Sequence, residues 1–310
     1  MSELRISVGL PQLLPVEGPE VVTRYAIRAE ELGFAGLWSL DSVPGSATSR
    51  VALLDGLHLL TSAAAVTDTI SLGIAVIVLA ARNAPQLARE LATIDRLSGG
   101  RVIVGVGVGR KEPSAAGLGL PAEHRARRLE EGVEVLRSLW ADGEATYSGN
   151  FYRFTGVTLE PKPVQRPGPP VWFGAGSPTA LHRAARMADG WVAAGSSPSA
   201  DFPGQVRVLV DALREARRDP SAFPIGKRVY VAVDETERRA RECLAPILDR
   251  MYDVPGLTKR VAVCGPPEAC AEQLRTVIGA GARELLLHPM YDHLDQLDAL
   301  ATVAALVRDG

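Results

Sequence analysis

The chain is poor in the residues that build covalently stapled folds. It has three cysteines, Cys243, Cys264 and Cys270. An odd number without CxxC spacing argues against a disulfide framework or a zinc site, and a reducing, cytoplasmic setting is the expectation. No two histidines or carboxylates have metal-ligand spacing, so no metal is expected. The N-terminal run MSELRISVGLPQLLP lacks a basic segment followed by a long apolar one, and no secretion signal is expected. The longest apolar run, Ile74–Ala81, is far too short to cross a bilayer. Charge of one sign is missing as well. A net charge of −2 gives no electrostatic reason to bind nucleic acid or an anionic membrane. There is no GxSxG elbow, and no cysteine nucleophile stands out.

What the chain does have is apolar residues, 46% of its 310 positions. That suffices for a large core and fits one α/β barrel or two average domains. The most informative stretch is Leu97–Glu112, LSGGRVIVGVGVGRKE. The Ser98-Gly99-Gly100 turn disfavours helix, and the β-branched run after it reads as a buried strand. Gly105, Gly107 and Gly109 strip side chains from one face. Another backbone or a flat ligand can then approach closely, unless the glycines merely ease packing.

Taken in order, apolar runs predict strands at Leu4–Leu10, Phe34–Leu40, Ile70–Leu79, the Val102 stretch, Val171–Gly174, Gly190–Ala194, Lys227–Val233 and Glu284–Leu287. Helical spacing separates them, at Glu20–Leu32, Leu53–Val66, Pro85–Leu97, Glu123–Trp140, Ala180–Met187, Phe202–Arg218, Glu235–Met251, Pro267–Gly279 and Leu294–Val307. Tyr252–Val263 is expected to be a loop or short strand. The charges of Glu123–Trp140 (Arg125, Arg127, Arg128, Glu130, Glu131 and Glu134) are expected on a solvated face. Asp142–Pro170 breaks the rhythm with glycines, a short aromatic group and Pro161, Pro163, Pro167, Pro169 and Pro170. It reads as a hairpin and an extended crossing segment. Uniformly apolar strands separated by helices imply a parallel sheet covered by helices. The expected fold is therefore a (β/α)8 TIM barrel, one domain over 1–310, with a hairpin and Pro-rich insertion between strands four and five. An open doubly wound sheet is the runner-up.

In such a barrel the site lies at the C-terminal strand ends. That rule gathers Asp41-Ser42, Arg82-Asn83, Gly107–Lys111, Gly174–Thr179, Gly195–Ser197, Asp234 and His288 on one rim. Gly174-Ala175-Gly176-Ser177-Pro178-Thr179 at a helix start can cradle an anion with backbone N–H groups; ordinary capping by Ser177 is the alternative. Arg110 and Lys111 are candidates for an anionic substrate group or cofactor tail, or for solvated loop charges. His288 is the candidate for proton transfer, as a residue past strand eight that titrates near neutrality. Lys227 and Arg228, expected to begin strand seven, are assigned to the stability face, away from the site.

Four segments, RLSGGRVIVGVGVGR, RARRLEEGVEVLRSLW, FYRFTGVTLEPKPVQRPGPPVWFGAGSP and RAARMADGW, resemble the bacterial luciferase-like superfamily of flavin-dependent monooxygenases and F420-dependent oxidoreductases. The resemblance implies a homodimeric barrel holding a flavin-like ring at its rim. Gly107, Val108 and Gly109 would lie near that ring. Gly174, Ala175, Gly176, Ser177 and Thr179 would take the cofactor phosphate. The resemblance also implies a non-proline cis bond at Ala75-Val76, forming a bulge behind the ring. Asp41 matches the acidic residue after strand two, but Ser42 stands where many F420-dependent members have His, and Arg110 where some carry an acid. The catalytic residues are left open among Asp41, Ser42 and His288. Hydride transfer between F420 and a small organic substrate is the leading expectation. An FMN-dependent monooxygenase supplied by a partner flavin reductase is the second, and a non-catalytic flavin binder the third.

Overall fold

The computed structural model describes residues 4–15, 18, 20–44, 51–109 and 123–309. Its strands are β1 (Arg5–Gly9), β2 (Gly36–Ser39), β3 (Ser71–Val78), β4 (Val102–Gly107), β5 (Ala145–Ser148), β6 (Arg153–Val157), β7 (Val171–Gly174), β8 (Gly190–Ala193), β9 (Ile225–Val233), β10 (Val263–Gly265) and β11 (Glu284–His288). The helices are α1 (Val21–Glu31), α2 (Gly56–Ala64), α3 (Ala84–Leu97), α4 (Arg125–Trp140), α5 (Pro178–Met187), α6 (Phe202–Glu215), α7 (Glu237–Tyr252), α8 (Thr258–Val261), α9 (Pro267–Gly279) and α10 (His293–Asp309).

Eight strands close a parallel ring in the order β1-β2-β3-β4-β7-β8-β9-β11 and back to β1. This is the (β/α)8 barrel. β5 and β6 form the antiparallel hairpin between barrel strands four and five, and β10 pairs with the outer end of β9, Val263 opposite Val231. Two boundaries differ from the sequence expectation. Barrel strand seven begins at Ile225, two residues before Lys227, and His288 is the last residue of strand eight. Tyr252–Val263, expected as a loop or short strand, holds helix α8 before β10.

The charged face of α4 is solvated only in part, with Arg127 and Glu134 exposed and Glu131 buried; its other side seats the hairpin. Glu131 accepts the Asn150 and Phe151 N–H groups, both at 2.9 Å. Glu134 accepts the Tyr147 hydroxyl at 2.6 Å, and the Arg128 guanidinium lies 4.0 Å from the Phe151 ring centre. Arg183 reaches Glu130 at 2.6 Å. The contacts of Arg128, Glu131 and Glu134 fix an insertion too short to carry its own core.

Strand alternation fills the barrel in layers. At the base, the buried Glu284 carboxylate accepts Ser7 Oγ at 2.7 Å, Trp38 Nε1 at 3.2 Å and Arg5 Nε at 3.3 Å. Above it, Trp38, Ala75, Trp172, Val192 and Leu286 form an apolar plug, the two indoles 5.7 Å apart. Such large rings fit because facing residues lack side chains. A Cβ on Gly73 would lie 2.4 Å from the Trp38 ring, and one on Gly190 2.6 Å from Trp172. A Cβ on Gly9 would lie 2.2 Å from the His288 ring, so His288 occupies the next layer. Burial first, then the nearby Arg228 and His293 charges, push the His288 imidazole down to about 3. Burial pushes His293, packed edge-on to Tyr25, down to about 4.

Two expected outcomes follow from this packing. Gly73→Ala should cost about 1–3 kcal/mol by overpacking Trp38. Gly204→Ala in α6, where a Cβ would meet nothing within 4 Å, should gain about 0.4–1 kcal/mol. Urea unfolding reads both, and a neutral Gly73→Ala would contradict the packing. Second, His288 and His293 stay neutral when folded but take up protons near pH 6.5 when unfolded. Their contribution is therefore complete above about pH 6.5 and lost as pH falls toward about 4 and then 3. His288→Gln should flatten that acid slope in unfolding free energy; an unchanged slope would contradict the burial of a neutral imidazole.

Candidate cofactor site

The C-terminal rim is shaped by the meeting of β3 with β4 and β7. The Ala75-Val76 peptide is cis, and the β3–β4 register shifts between Ile74 and Ile77. The glycines of β4 make room for that bulge. A Cβ on Gly105 would lie 2.2 Å from the Ile74 carbonyl oxygen. Side chains on Gly107 or Gly174 would strike Val76 methyls at 2.8 and 2.9 Å, and one on Gly109 would strike Val78 at 2.5 Å. Val76 is thus flanked on two sides by bare backbone and keeps part of its surface open. Gly109 adopts φ +68°, a conformation natural to glycine. Its carbonyl accepts Arg125 Nη1 at 2.9 Å, so α4 also holds the end of the glycine run, where Val108 is half-buried.

Asp41 acts on the same bulge. Its carboxylate accepts the Val78 N–H at 3.0 Å and pairs with the Arg82 guanidinium. With only 2% of its side chain exposed, it clamps the end of β3 and does not project into the mouth. Ser42, next to it, is half-buried.

Across the rim, β7 leads into α5. Ser177 is the N-cap, with Ala180 N–H donating to its Oγ at 3.4 Å and Pro178 in the first turn. Gly176, Ser177, Pro178 and Thr179 are exposed; Pro178 carries no N–H and the Ala180 N–H is taken by Ser177, so the Thr179 N–H is the one the helix start turns to solvent. The approach to them is fixed by Trp191 Nε1, which donates to the Ala175 carbonyl at 2.9 Å. Gln205 of α6 comes alongside; a Cβ on Gly176 would lie 3.6 Å from its amide nitrogen. This is a small-residue cradle at the positive end of a helix, suited to a phosphate.

The other candidates sit differently. His288 faces the barrel interior and is neutral around pH 7, so it can share a hydrogen bond there but does not titrate near neutrality. Its Nδ1 has no partner. Arg110 and Lys111 lie outside the described residues. His58 is exposed, and its Nδ1 lies 2.9 Å from Asp55. Among the described residues no group of three or more His, Cys, Asp or Glu is placed to hold a metal ion, and no helix is long and apolar enough to cross a membrane.

Arg228 is the residue that sequence reasoning missed. Assigned to the stability face, it instead points inward from β9 and spans the barrel to β3, donating Nη1 to the Ala75 carbonyl at 2.6 Å. Its Nη2 is 3.5 Å from the Tyr252 hydroxyl, which is 2.5 Å from the Tyr230 hydroxyl. The overlooked signal is the start of the strand. Counting from Ile225 puts Gly226, Arg228 and Tyr230 together on one face, with Lys227 on the other. Lys227 is buried and donates to the Ala194 and Ser197 carbonyls at 2.7 and 2.8 Å, fixing the loop after β8. Burial first, then Arg228, pushes its ammonium down to about 7.

The comparisons with known proteins fit this geometry. Residues 6–284 match the model of the family described as luciferase-like monooxygenase. The chain is 36% identical over 165 residues to the FMNH(2)-dependent dimethylsulfone monooxygenase of Pseudomonas putida, covering 52% of this chain and 44% of that protein. It thus spans less than half the length of that relative. It is 26% identical over 314 residues to the F420-dependent glucose-6-phosphate dehydrogenase of Intrasporangium calvum, covering 91% of this chain and 93% of that one. The solved structure of an F420-dependent secondary alcohol dehydrogenase with an F420-acetone adduct shares the fold, with TM-score 0.84 at 20% identity over 99% of this chain and 100% of that chain. By the extent of the family match and the shared barrel, the chain belongs to the luciferase-like monooxygenase family.

Proposed function

We propose that this chain is an oxidoreductase that transfers a hydride between the deazaflavin F420 and a small organic substrate. The observation that carries the reading is the pairing, on one rim, of the Val76 bulge between bare glycine strands with the exposed start of α5. In this reading Val76, Gly107, Val108, Gly109 and Gly174 back a flat ring. The Thr179 N–H at the α5 start, with the Ser177 and Thr179 hydroxyls, holds a phosphate, which both F420 and FMN carry on a ribityl chain. When bound, the cofactor supplies the two-electron chemistry.

The protein contributes position and electrostatics. Asp41 and Arg125 fix the two ends of the ring's seat through Val78 N–H and the Gly109 carbonyl. The barrel plug of Trp38 and Trp172 keeps water from reaching the ring from below. F420 is favoured over FMN by the near full-length correspondence to the F420-dependent dehydrogenase. The second reading, an FMN-dependent monooxygenase fed by a flavin reductase, is favoured by the higher local identity to the dimethylsulfone enzyme.

Titrating the purified protein with F420 and with FMN by calorimetry separates these readings. Micromolar F420 affinity with FMN about a hundredfold weaker, a difference of roughly 2.7 kcal/mol, is the expected result; the opposite order would move the chain to the monooxygenase reading. Ser177→Asp keeps a good N-cap but sets a negative charge in the cradle. It should lower cofactor affinity at least roughly tenfold with an unchanged melting temperature. Retained affinity would show that α5 is not the phosphate site.

A further inference from the structure

Below the proposed ring seat, the barrel holds a positive charge that no acid answers. Arg228 lies opposite β3, four strands away around the ring in either direction. Its partners are one carbonyl, Ala75 O, and one phenol at the limit of hydrogen bonding, Tyr252. Its Nε is buried with no partner at all. Among the described residues no carboxylate pairs with it. The inward-facing Glu284 is committed at the base to Ser7, Trp38 and Arg5, and Asp41 at the rim is committed to Arg82 and Val78. A guanidinium taken out of water with one of its fork edges unmet is costly unless an anion completes it.

The surroundings suit such an anion. Gly195, in the loop after β8, lies over the orphaned edge; a Cβ there would stand 2.9 Å from Arg228 Nε and 2.9 Å from the Tyr230 ring. Any larger residue at 195 would cover the nitrogen. Lys227 pins this loop from behind through Ala194 and Ser197, so the small residue is held against the guanidinium. The Tyr230 and Tyr252 hydroxyls, bonded to each other, leave one O–H free to donate beside the guanidinium, and the His288 ring packs edge-on to Tyr230. The cluster therefore offers a planar cationic fork and a hydroxyl side by side under the rim. Guanidinium is the side chain best matched to a trigonal or tetrahedral oxyanion.

We propose that Arg228 anchors an oxyanion group, a carboxylate or sulfonate, of the small-molecule substrate. The proposal rests on the reading that the barrel mouth is the active site, and it narrows the substrate class to anionic organic molecules. Arg228 binds and orients; it transfers no proton and no electron.

The test uses the full chain without added cofactor, titrated by calorimetry with acetate, benzoate and methanesulfonate against the neutral analogues acetamide, benzamide and dimethyl sulfone. At least one anion should bind at least roughly tenfold more tightly than its neutral analogue. Arg228→Gln should remove that preference while leaving the neutral ligand's affinity in place, and Arg228→Lys should keep part of it. Gly195→Val, which covers Nε, should mimic Arg228→Gln. If Arg228→Gln does not fold by circular dichroism, Arg228→Lys and Gly195→Val carry the test. Equal affinities for anions and neutral analogues, no anion binding at tens of millimolar, or an anion preference that survives Arg228→Gln would overturn the proposal. It would also be overturned if Arg228→Gln weakened only the binding of reduced cofactor, because the anion would then be the cofactor's own. Ser177→Asp should leave benzoate binding intact, so loss of the phosphate site and loss of the anion site are read separately.

Discussion

The close approach of β3 to side-chain-free backbone on β4 and β7 sets the form of the barrel mouth. With any residue but glycine at 105, a Cβ would stand 2.2 Å from the Ile74 carbonyl oxygen, and β3 could not bulge inward. Glycine at 107 and 174 then lets Val76 lie between the two strands. Much of the site follows from that contact. The bulge brings the Ala75 carbonyl to Arg228, and Asp41 clamps the end of β3 through Val78. The alternate glycines that look like packing aids do pack, but what they pack against is the one irregular segment of the barrel wall.

Charge is divided along the barrel axis. The interior carboxylate, Glu284, sits at the N-terminal base and is saturated by three donors. Toward the C-terminal end the interior polar groups are a cation, two phenols and a neutral imidazole. Of the rim carboxylates, Asp41 faces Arg82 and Asp234 faces Arg239. The α5 start adds the positive pole of a helix to the same rim. A base that stabilises and a mouth with unmet donors is the division of labour expected of this fold, and its sign favours anionic ligands.

The order of strands and helices was legible because uninterrupted apolar runs and N-capping residues are local signals; Val171–Gly174 and Pro267–Gly279 coincide with their elements to the residue. The hairpin was legible from its glycines and prolines. The Ala75-Val76 cis bond came only with the family resemblance, since nothing in the local sequence marks it. What stayed hidden depends on distant partners. The buried Glu131 read as solvated because its partners lie in a hairpin about twenty residues downstream, at Phe151 among others. Arg228 was placed at the start of its strand, whereas the strand begins at Ile225 and Arg228 is its fourth residue. His288 looked like a rim residue because the strand ends on it, and its burial follows from the missing side chain of Gly9, far off in sequence.

The proposed seat for a flat ring and its phosphate makes one physical statement: ligand binding should order the bulge, the glycine run and the α5 start together. Amide hydrogen exchange on addition of saturating cofactor measures this directly. Protection gained jointly at 75–78, 105–109 and 174–179, with the 145–157 hairpin unchanged, is the expected pattern. Protection centred elsewhere, or at the α5 start without the β3 bulge, would contradict a ring seated on Val76.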